Sequence, residues 1–335
     1  MHADARFSTW WLRVFFSGFA VVFLLMVLTW FTPIFHGDLA RMARVSQRDY
    51  DATAEQPTLD SARLVSSRFA EADVLVLGDS FSVPLYWQSV LVGQGLRVKT
   101  IEWRQIPGLC ADFAGWARAQ GFKGSLIIAE SVERELAAQL KKNATCSMQG
   151  HPFKDEPHRT LAPPTQTRGF ELNWTETLTT GLVTTWHSWR ATRAATELRL
   201  DDVLVRPVPE GCRLFSHRNC DKALLLRRDI SNAPLNAADL AQMVAQRQAL
   251  EPLHVQWIVV PNKTTVYFGG HDPFWQALPE QGLGPDLLRN FAADKWRIRD
   301  LYAPDDTHLS PAGYLRLGEL VLQSLQGRLK PGSPS

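Results

Sequence analysis

The chain of 335 residues carries 36 lysines and arginines against 34 aspartates and glutamates, and 45% of its residues are hydrophobic. This composition is that of a globular protein with enough apolar residues for a sizeable core, which excludes disorder along the whole chain. The balanced charge excludes a protein that binds nucleic acid through a basic face, so we expect no nucleic-acid partner.

The first element in chain order is an apolar segment near the N-terminus. Residues 14–35 read VFFSGFAVVFLLMVLTWFTPIF, 22 residues without a charge, and about 20 apolar residues suffice for a helix to cross a bilayer. A cleaved signal peptide is the alternative, but its apolar core would be about 7–15 residues long and followed by a small-residue cleavage site. We therefore predict a retained transmembrane anchor at 14–35, preceded by a tail at 1–13.

A series of apolar runs follows a predicted juxtamembrane linker at 36–70. These runs are typical of buried strands, and helical patterns separate them. Strands that alternate with helices indicate a parallel sheet covered by helices, so we predict an α/β domain over 71–330, with a tail at 331–335. The four runs are DVLVLG at 73–78, LRVKTIEW at 96–103, SLIIAE at 125–130 and HVQWIVVP at 254–261.

One long excursion, residues 142–230, interrupts this alternation. It contains the loop-like segments HPFKDEPH and LAPPTQT and a helical candidate around 175–200. Long excursions in compact domains are often functional, so we interpret this one as an insertion or cap over the sheet. Its tryptophans Trp174, Trp186 and Trp189 are candidates to stack on sugar rings, although core packing is the default role of tryptophan.

The four cysteines bear on the compartment. Cys212 and Cys220 bracket the short stretch GCRLFSHRNC, and their small separation makes closure of a disulfide easy. Cys110 and Cys146 are then the complementary pair by elimination. Disulfides need an oxidising compartment, which favours a domain outside the cytoplasm, whereas four reduced thiols are the alternative.

A serine-containing turn, GDSFS at 78–82, follows the first predicted strand directly. In an open α/β sheet, ligands bind at the carboxyl ends of the strands, where a serine can be exposed and backbone amides can meet a developing oxyanion. Ser80 is therefore a candidate nucleophile, and its own backbone N–H is a candidate oxyanion donor. Capping of the following helix by Ser80 is the alternative interpretation.

A second motif, DDTHLSPAG at 305–313, lies ahead of the last predicted helix. A serine hydroxyl needs a general base, and an imidazole needs an acceptor that fixes its tautomer. His308 is the candidate base for Ser80, and Asp305 or Asp306 is the candidate acceptor. A solvated acidic loop before a helix cap is the alternative for this motif alone.

The pair GDSFS and DDTHLSPAG resembles the SGNH/GDSL hydrolase superfamily, whose members carry a serine after the first strand and a C-terminal DxxH. The resemblance implies a flavodoxin-like α/β/α sandwich that performs acyl transfer or hydrolysis. It makes Ser80 the nucleophile, His308 the base and Asp305 its preferred partner. Gly108 would correspond to the family's glycine oxyanion donor, and Asp79 is a further acyl-site candidate. The family's GxND block has no counterpart, because AESVER follows the third strand.

Four segments together resemble the AlgX/AlgJ-type branch of periplasmic polysaccharide O-acetyltransferases: GDSFS, the ESVER that follows a strand, VVPNKTTVY at 259–267 and the triplet Asp306-Thr307-His308. In that branch the aspartate lies two residues before the histidine, which would select Asp306, but its Asp-x-His precedes the serine, unlike the order here. An anchor followed by the serine also resembles DltD-type proteins, which work beside membrane-bound O-acyltransferases. Lys263 and Tyr267, just past the fourth strand, are candidates to bind substrate or polarise an acyl oxygen. A solvated lysine and a packing tyrosine are the alternative, which general exposure tendencies favour.

Together the motifs predict a single-pass protein of a bacterial inner membrane that acetylates a polysaccharide from the periplasmic side through an acyl-serine. A multispanning membrane O-acyltransferase is the expected source of the acyl group. We expect no cofactor and no metal, because the histidines lack ligand-like spacing. The alternatives are a carbohydrate or lipid acetylesterase with the same triad and a non-catalytic glycan-binding subunit of a polysaccharide assembly.

Overall fold

The structure, a computed structural model, describes residues 2–32, 34–163, 172–231, 233–269 and 272–326. The predicted tail at 331–335 lies outside these residues. The strands are β1 (Val65–Ser66), β2 (Val74–Gly78), β3 (Val98–Glu102), β4 (Leu126–Val132), β5 (His158–Arg159), β6 (Leu198–Leu200), β7 (Val203–Pro207), β8 (Lys222–Leu226) and β9 (His254–Val260). The helices are α1 (His2–Thr29), α2 (Asp38–Ala43), α3 (Gln47–Tyr50), α4 (Gln88–Gly93), α5 (Phe113–Ala119), α6 (Glu133–Thr145), α7 (Leu178–Arg193), α8 (Gly211–Leu214), α9 (Arg227–Ser231), α10 (Ala237–Ala249), α11 (Lys263–Phe268), α12 (Pro273–Glu280), α13 (Leu287–Asp294) and α14 (Pro311–Leu325).

A parallel sheet with the strand order β3-β2-β4-β9 forms the centre of the domain, which confirms the prediction from the four apolar runs. Every residue of β2 and β4 is buried, and this explains why their sequences are almost continuously apolar. The chain first adds β3 on one side of β2 and then β4 and β9 on the other. Its order therefore reverses between β2 and β4, and open α/β sheets bind ligands at such a point, beyond the carboxyl ends of the strands.

The insertion builds a second, smaller sheet instead of a cap over the first. Strands β6, β7 and β8 form an antiparallel sheet, and α7 occupies only the first part of the predicted helical segment. The predicted linker at 36–70 is packed against this sheet and belongs to the folded domain. The shared core consists of Leu39, Ala40, Ala43, Val45, Tyr50, Ala191, Leu200, Val203, Val205 and Leu224.

Both predicted disulfides are present. Cys110 pairs with Cys146 and joins the loop after β3 to the end of α6, whereas Cys212 pairs with Cys220 and closes the connection between β7 and β8. The described residues include no free cysteine. Paired cysteines indicate an extracytoplasmic domain, because the cytoplasm keeps thiols reduced.

Helix α1 is long and apolar enough, over Ser8–Thr29, to cross a membrane or to serve as a signal sequence. It begins at His2, so the predicted tail at 1–13 is mostly part of the helix. Most of its apolar side chains are exposed, but Thr29 and Thr32 at its C-terminal end are buried. That end is therefore packed onto the rest of the protein.

Candidate active site

A serine, a histidine and an aspartate form a continuous hydrogen-bonded chain beyond the carboxyl end of β2. Ser80 Oγ lies 2.8 Å from His308 Nε2, and His308 Nδ1 lies 2.6 Å from Asp306 Oδ1. The backbone N–H of His308 also donates to Asp306 Oδ1 at 3.0 Å, which fixes the ring relative to its own loop. With the Nδ1 proton directed at Asp306, Nε2 is the nitrogen that accepts the proton of Ser80.

Asp306, and not the preferred candidate Asp305, is the partner of His308. The carboxylate of Asp305 accepts a hydrogen bond from Gln47 Nε2 at 2.5 Å, away from the imidazole. The backbone N–H of Asp306 donates to Ala303 O at 3.2 Å, and this tight turn directs the two neighbouring side chains to different partners. The D-x-H register is therefore the one that this loop adopts.

Charge couples the histidine to the aspartate. Burial favours the neutral imidazole, but the hydrogen bond and the negative charge of Asp306 outweigh it and raise the pKa of His308 above its usual value. Burial also disfavours the ionised carboxylate, but His308 outweighs it and holds the pKa of Asp306 well below its usual range. Asp306 is thus ionised at neutral pH and stabilises the imidazolium that forms when Ser80 loses its proton.

Asp79 fixes the shape of the turn that carries Ser80. Its Oδ1 accepts a hydrogen bond from the backbone N–H of Phe81 at 2.9 Å, and its Oδ2 accepts one from the backbone N–H of Val132 at 2.7 Å. Both carboxylate oxygens are thereby engaged by the backbone of β4 and of the turn itself. The prediction of Asp79 as an acyl-site residue is corrected to a structural role.

Glu130 supports the same turn from the buried side of the sheet. Its Oε2 accepts from the backbone N–H of Asp79 at 3.0 Å and from Ser82 Oγ at 2.7 Å. Burial, and then the charge of Asp79, raises the pKa of Glu130 well above its usual value. In the sequence, Glu130 stands out only as part of AESVER, at the place where the family has its GxND block. An acidic residue within a wholly buried strand was the signal that could have identified its role.

The backbone N–H of Ser80 is available to an oxyanion, since among the described residues it donates no hydrogen bond. Ser80 itself is exposed, and it does not cap a helix because α4 begins only at Gln88. Gly108 is not among the residues that line the cavity at Ser80. A Cβ on Gly108 would lie 2.6 Å from Asn143 Oδ1 and 3.1 Å from Cys146 Sγ, so its loop is held against α6. The role of Gly108 as oxyanion donor stays a prediction.

The segment that follows α1 packs against the loop at 303–308, here called the catalytic loop. Asp38 accepts hydrogen bonds from Thr307 N at 2.8 Å and Thr307 Oγ1 at 2.6 Å, and its own N–H donates to Asp306 Oδ2 at 3.2 Å. Gly37 is pressed against the same loop, because a Cβ there would lie 2.2 Å from Asp305 O. Burial, and then the charge of Asp306, raises the pKa of Asp38. No sequence motif signals Asp38, which lies more than 260 residues before Thr307.

Lys263 holds the catalytic loop from inside instead of binding substrate. Its side chain is buried, and Nζ donates to Ala303 O at 2.8 Å, Pro304 O at 2.9 Å and Asp306 O at 3.1 Å. Burial lowers the pKa of Lys263 to about 8, although nearby carboxylates oppose the shift. Tyr267 is also buried and does not line the cavity at Ser80. Both predictions of substrate-binding residues are therefore wrong.

Asp38, Asp306 and His308 each place one potential metal-ligand atom within 4.8 Å of the others. All three side chains already take part in the hydrogen bonds of the catalytic loop. Asp38 bonds to Thr307, while Asp306 and His308 bond to each other. The two carboxylates can orient the imidazole of His308 and stabilise its protonated form, and we assign no metal to these three residues.

Ser80 opens into a cavity of about 1200 Å³. Acidic, basic and phenolic side chains line the part that faces the solvent, among them Glu55, Glu102, Arg104 and Tyr86. Such groups hydrogen-bond to hydroxyl-rich molecules, and an aromatic face adds a surface on which a sugar ring can stack. The cavity can therefore hold a polar acceptor beside the serine.

The insertion contributes one short edge to this cavity. Strand β5 pairs with β1, and the residues after it, Thr160, Leu161 and Pro163, line the opening. Thr160 Oγ1 donates to Pro84 O at 2.6 Å, which ties this edge to the turn after Ser80. The structure does not bring the predicted sugar-stacking residues to the cavity: these are Trp174, Trp186 and Trp189.

This arrangement can support nucleophilic acyl transfer. It has an exposed serine at the reversal point of a parallel sheet, a histidine within hydrogen-bond distance and an ionised carboxylate behind the histidine. In comparisons with known proteins, no family model, no curated protein and no solved structure matches the chain.

Proposed function

We propose that the protein is an SGNH-type serine O-acyltransferase that acetylates a bacterial polysaccharide. The hydrogen-bonded chain Ser80–His308–Asp306 at the edge of a large polar cavity is the observation that carries the proposal. The strand order of the central sheet is compatible with the flavodoxin-like fold that the resemblance implies. The disulfides and α1 support an anchor in the inner membrane and a catalytic domain in the periplasm.

In the first step the acyl group moves to the enzyme. His308 Nε2 takes the proton of Ser80 as its Oγ attacks the carbonyl carbon of the donor ester, and Asp306 stabilises the imidazolium. The negative charge on the carbonyl oxygen meets the backbone N–H of Ser80. The bond between the carbonyl carbon and the leaving oxygen then breaks, and His308 gives its proton to that oxygen. The acyl group remains on Ser80.

In the second step a sugar hydroxyl replaces the donor. His308 takes the hydroxyl proton while the sugar oxygen attacks the acyl-serine. When the tetrahedral intermediate collapses, Ser80 Oγ leaves and recovers a proton from His308. The product is an acetylated sugar, and the enzyme returns to its starting state.

The cavity favours an acceptor larger than water. Its volume of about 1200 Å³ exceeds the roughly 300–1000 Å³ of pockets that hold single small ligands. Glu55, Glu102 and Arg104 offer charged groups to the hydroxyls of an oligosaccharide. A multispanning membrane O-acyltransferase in the same bilayer would supply the acyl group, and anchoring by α1 would raise the effective concentration of the two partners.

An acetylesterase is the second candidate, because Ser80 is exposed and water can reach an acyl group on it. The chemistry is the same, with water in place of the sugar hydroxyl. The ordered triad argues against a purely glycan-binding subunit, which would need neither the base nor its carboxylate.

The test is a competition between transfer and hydrolysis. The full-length protein, reconstituted in nanodiscs, is mixed with an activated acetyl ester and a panel of bacterial oligosaccharides. Transfer adds about 42 Da for each acetyl group on the glycan, as expected for an ester formed by acyl transfer. We expect the wild type to acetylate at least one glycan and Ser80→Ala to acetylate none. Rapid release of acetate without acetylation of any glycan would establish the esterase instead.

A further inference from the structure

Helix α7 carries its large apolar side chains on the outside. Three of these residues are four and three positions apart, which places them on a single side of the helix. This exposed stripe is here called the α7 face. The face consists of Leu182, Trp186 and Trp189, which are 56%, 56% and 47% exposed. The buried residues of the helix are small or polar, namely Gly181, Thr184 and Ala191.

This arrangement is the reverse of that in a helix of a soluble protein, which buries its apolar side. The rings of Trp186 and Trp189 stack with their centroids 5.1 Å apart and present one continuous aromatic surface. The guanidinium of Arg193 lies 4.9 Å from the centroid of the Trp189 ring, and Arg190 is in the same last turn. Tryptophan, leucine and arginine side by side are typical of segments that lie at a membrane surface.

The position of α7 beside the end of α1 indicates which surface the α7 face contacts. Gly181 packs on the end of α1, because a Cβ there would lie 3.0 Å from Thr29 Cγ2 and 3.1 Å from Thr32 Oγ1. The ring of Trp174, just before α7, lies 4.9 Å from that of Trp30. The apolar span of α1 has 22 residues, hence a length of about 33 Å against about 30 Å for the hydrocarbon core. When α1 spans a bilayer, α7 therefore begins at the headgroups.

We propose that the α7 face lies in the interfacial layer of the membrane that α1 crosses, so that the protein contacts the bilayer through both helices. The occupant is the lipid surface itself, whose headgroups and upper acyl chains suit tryptophan and leucine and whose anionic lipids attract the two arginines. The inference rests on the membrane anchoring within the proposed function but not on the acyl chemistry.

This contact fixes how the catalytic domain faces the membrane. His187 Nδ1 hydrogen-bonds to Ala43 O at 2.7 Å, and the backbone N–H of Ser46 donates to Ser188 Oγ at 2.7 Å. Through these bonds α7 is joined to the segment that carries Asp38, and Asp38 in turn hydrogen-bonds to Thr307 and Asp306 of the catalytic loop. A membrane contact on α7 therefore sets the height and tilt of the cavity relative to the lipid surface.

The experiment measures lipid exposure at single positions in the full-length chain. Leu182→Cys carries a nitroxide spin label, and Trp186→Cys provides a second position on the α7 face. Ile230→Cys, on α9 and 44% exposed in the wild type, is the matched control. Each labelled protein is reconstituted in liposomes that contain anionic lipid, and its collision rates with oxygen and with a polar nickel chelate are compared. Turnover of a soluble acetyl ester at the wild-type rate shows that the variant is folded.

We expect the ratio of oxygen to nickel collisions to be several-fold higher at positions 182 and 186 than at position 230, because oxygen concentrates in lipid. Nickel access equal to that at position 230 would overturn the proposal, and so would dipolar broadening, which would place a second copy of the chain on the face. If alkaline carbonate extracts the wild type from the liposomes, α1 does not span the bilayer, and the proposal fails with the anchor on which it rests. Absence of ester turnover in the wild type would refute only the proposed chemistry.

Discussion

At the scale of single residues, the neighbouring carboxylates Asp305 and Asp306 have different hydrogen-bond partners and therefore different roles. Asp306→Asn removes the acceptor of the His308 Nδ1 proton, so we expect kcat/KM for an acetyl ester to fall by about 10³–10⁴-fold. Asp305→Asn is the matched control and should stay near the wild-type value, because Asp305 bonds to Gln47. Initial rates of ester turnover in the two variants show which aspartate is the partner of His308, and melting curves verify that both variants are folded. A larger loss in Asp305→Asn than in Asp306→Asn would reverse the assignment.

The pH dependence reports on the charge around His308. The base must be neutral, so kcat/KM should rise with pH, with a midpoint above the usual histidine value of 6.5, because Asp306 and Asp38 raise the pKa of His308. Asp38→Asn removes one of these charges, so the imidazolium loses its proton more readily and the midpoint should move to lower pH. Asp60→Asn, at an exposed ion pair with Arg63, is the control. A midpoint in Asp38→Asn that is unchanged or higher contradicts this role.

At the scale of elements, the catalytic loop at 303–308 depends on the start of α2. In Gly37→Ala the new methyl group would lie 2.2 Å from Asp305 O, so the segment or the loop must move. Such overpacking typically costs about 1–3 kcal/mol, and we expect a lower melting temperature together with at least about a tenfold loss of ester turnover. Gly115→Ala in α5 is the control, since a Cβ there meets nothing within 4 Å. If both variants behave as the wild type, the loop does not depend on this contact.

The buried ammonium group under the same loop gives a second test at this scale. Lys263→Met removes the donor of three hydrogen bonds to loop carbonyl oxygens. A buried acceptor left without a partner costs about 1–3 kcal/mol, so urea unfolding should show a clear loss of stability, accompanied by slower turnover. Lys295→Met loses one carbonyl contact, to Val266, and should have the smaller effect on turnover. Equal turnover in the two variants would contradict a specific role of Lys263 in the loop.

At the scale of the whole molecule, the features that local sequence patterns predict can be separated from those that depend on distant contacts. The parallel sheet and the pairing of Ser80 with His308 were predictable, because apolar runs and short motifs are local patterns with a known place in such sheets. The disulfide pairs followed from the small number of cysteines. The motifs left Asp305 and Asp306 both open as the partner of His308, because the choice depends on a turn that Lys263, far away in the chain, holds by hydrogen bonds.

Contacts between distant parts of the chain account for the other differences. Asp38 meets Thr307 across 269 positions, and no local pattern distinguishes it from other aspartates of the juxtamembrane segment. The insertion resembles a cap in sequence because it breaks the strand and helix alternation. In the structure it shares a core with α2 and forms only one edge of the cavity. Its tryptophans do not line the cavity at Ser80: Trp174 contacts Trp30 just past α1, and Trp186 and Trp189 are exposed on α7.

The central claim is that Ser80 carries the acyl group, and covalent labelling tests it most directly. The full-length protein is incubated with a serine-reactive fluorophosphonate, and the adduct is located by mass spectrometry of the intact chain and of its peptides. We expect one adduct, on Ser80, in the wild type and in Asp305→Asn, with much slower labelling in His308→Ala and none in Ser80→Ala, since base and nucleophile act together. A wild type that remains unlabelled, or a Ser80→Ala variant that is labelled to the same extent as the wild type, would contradict the account.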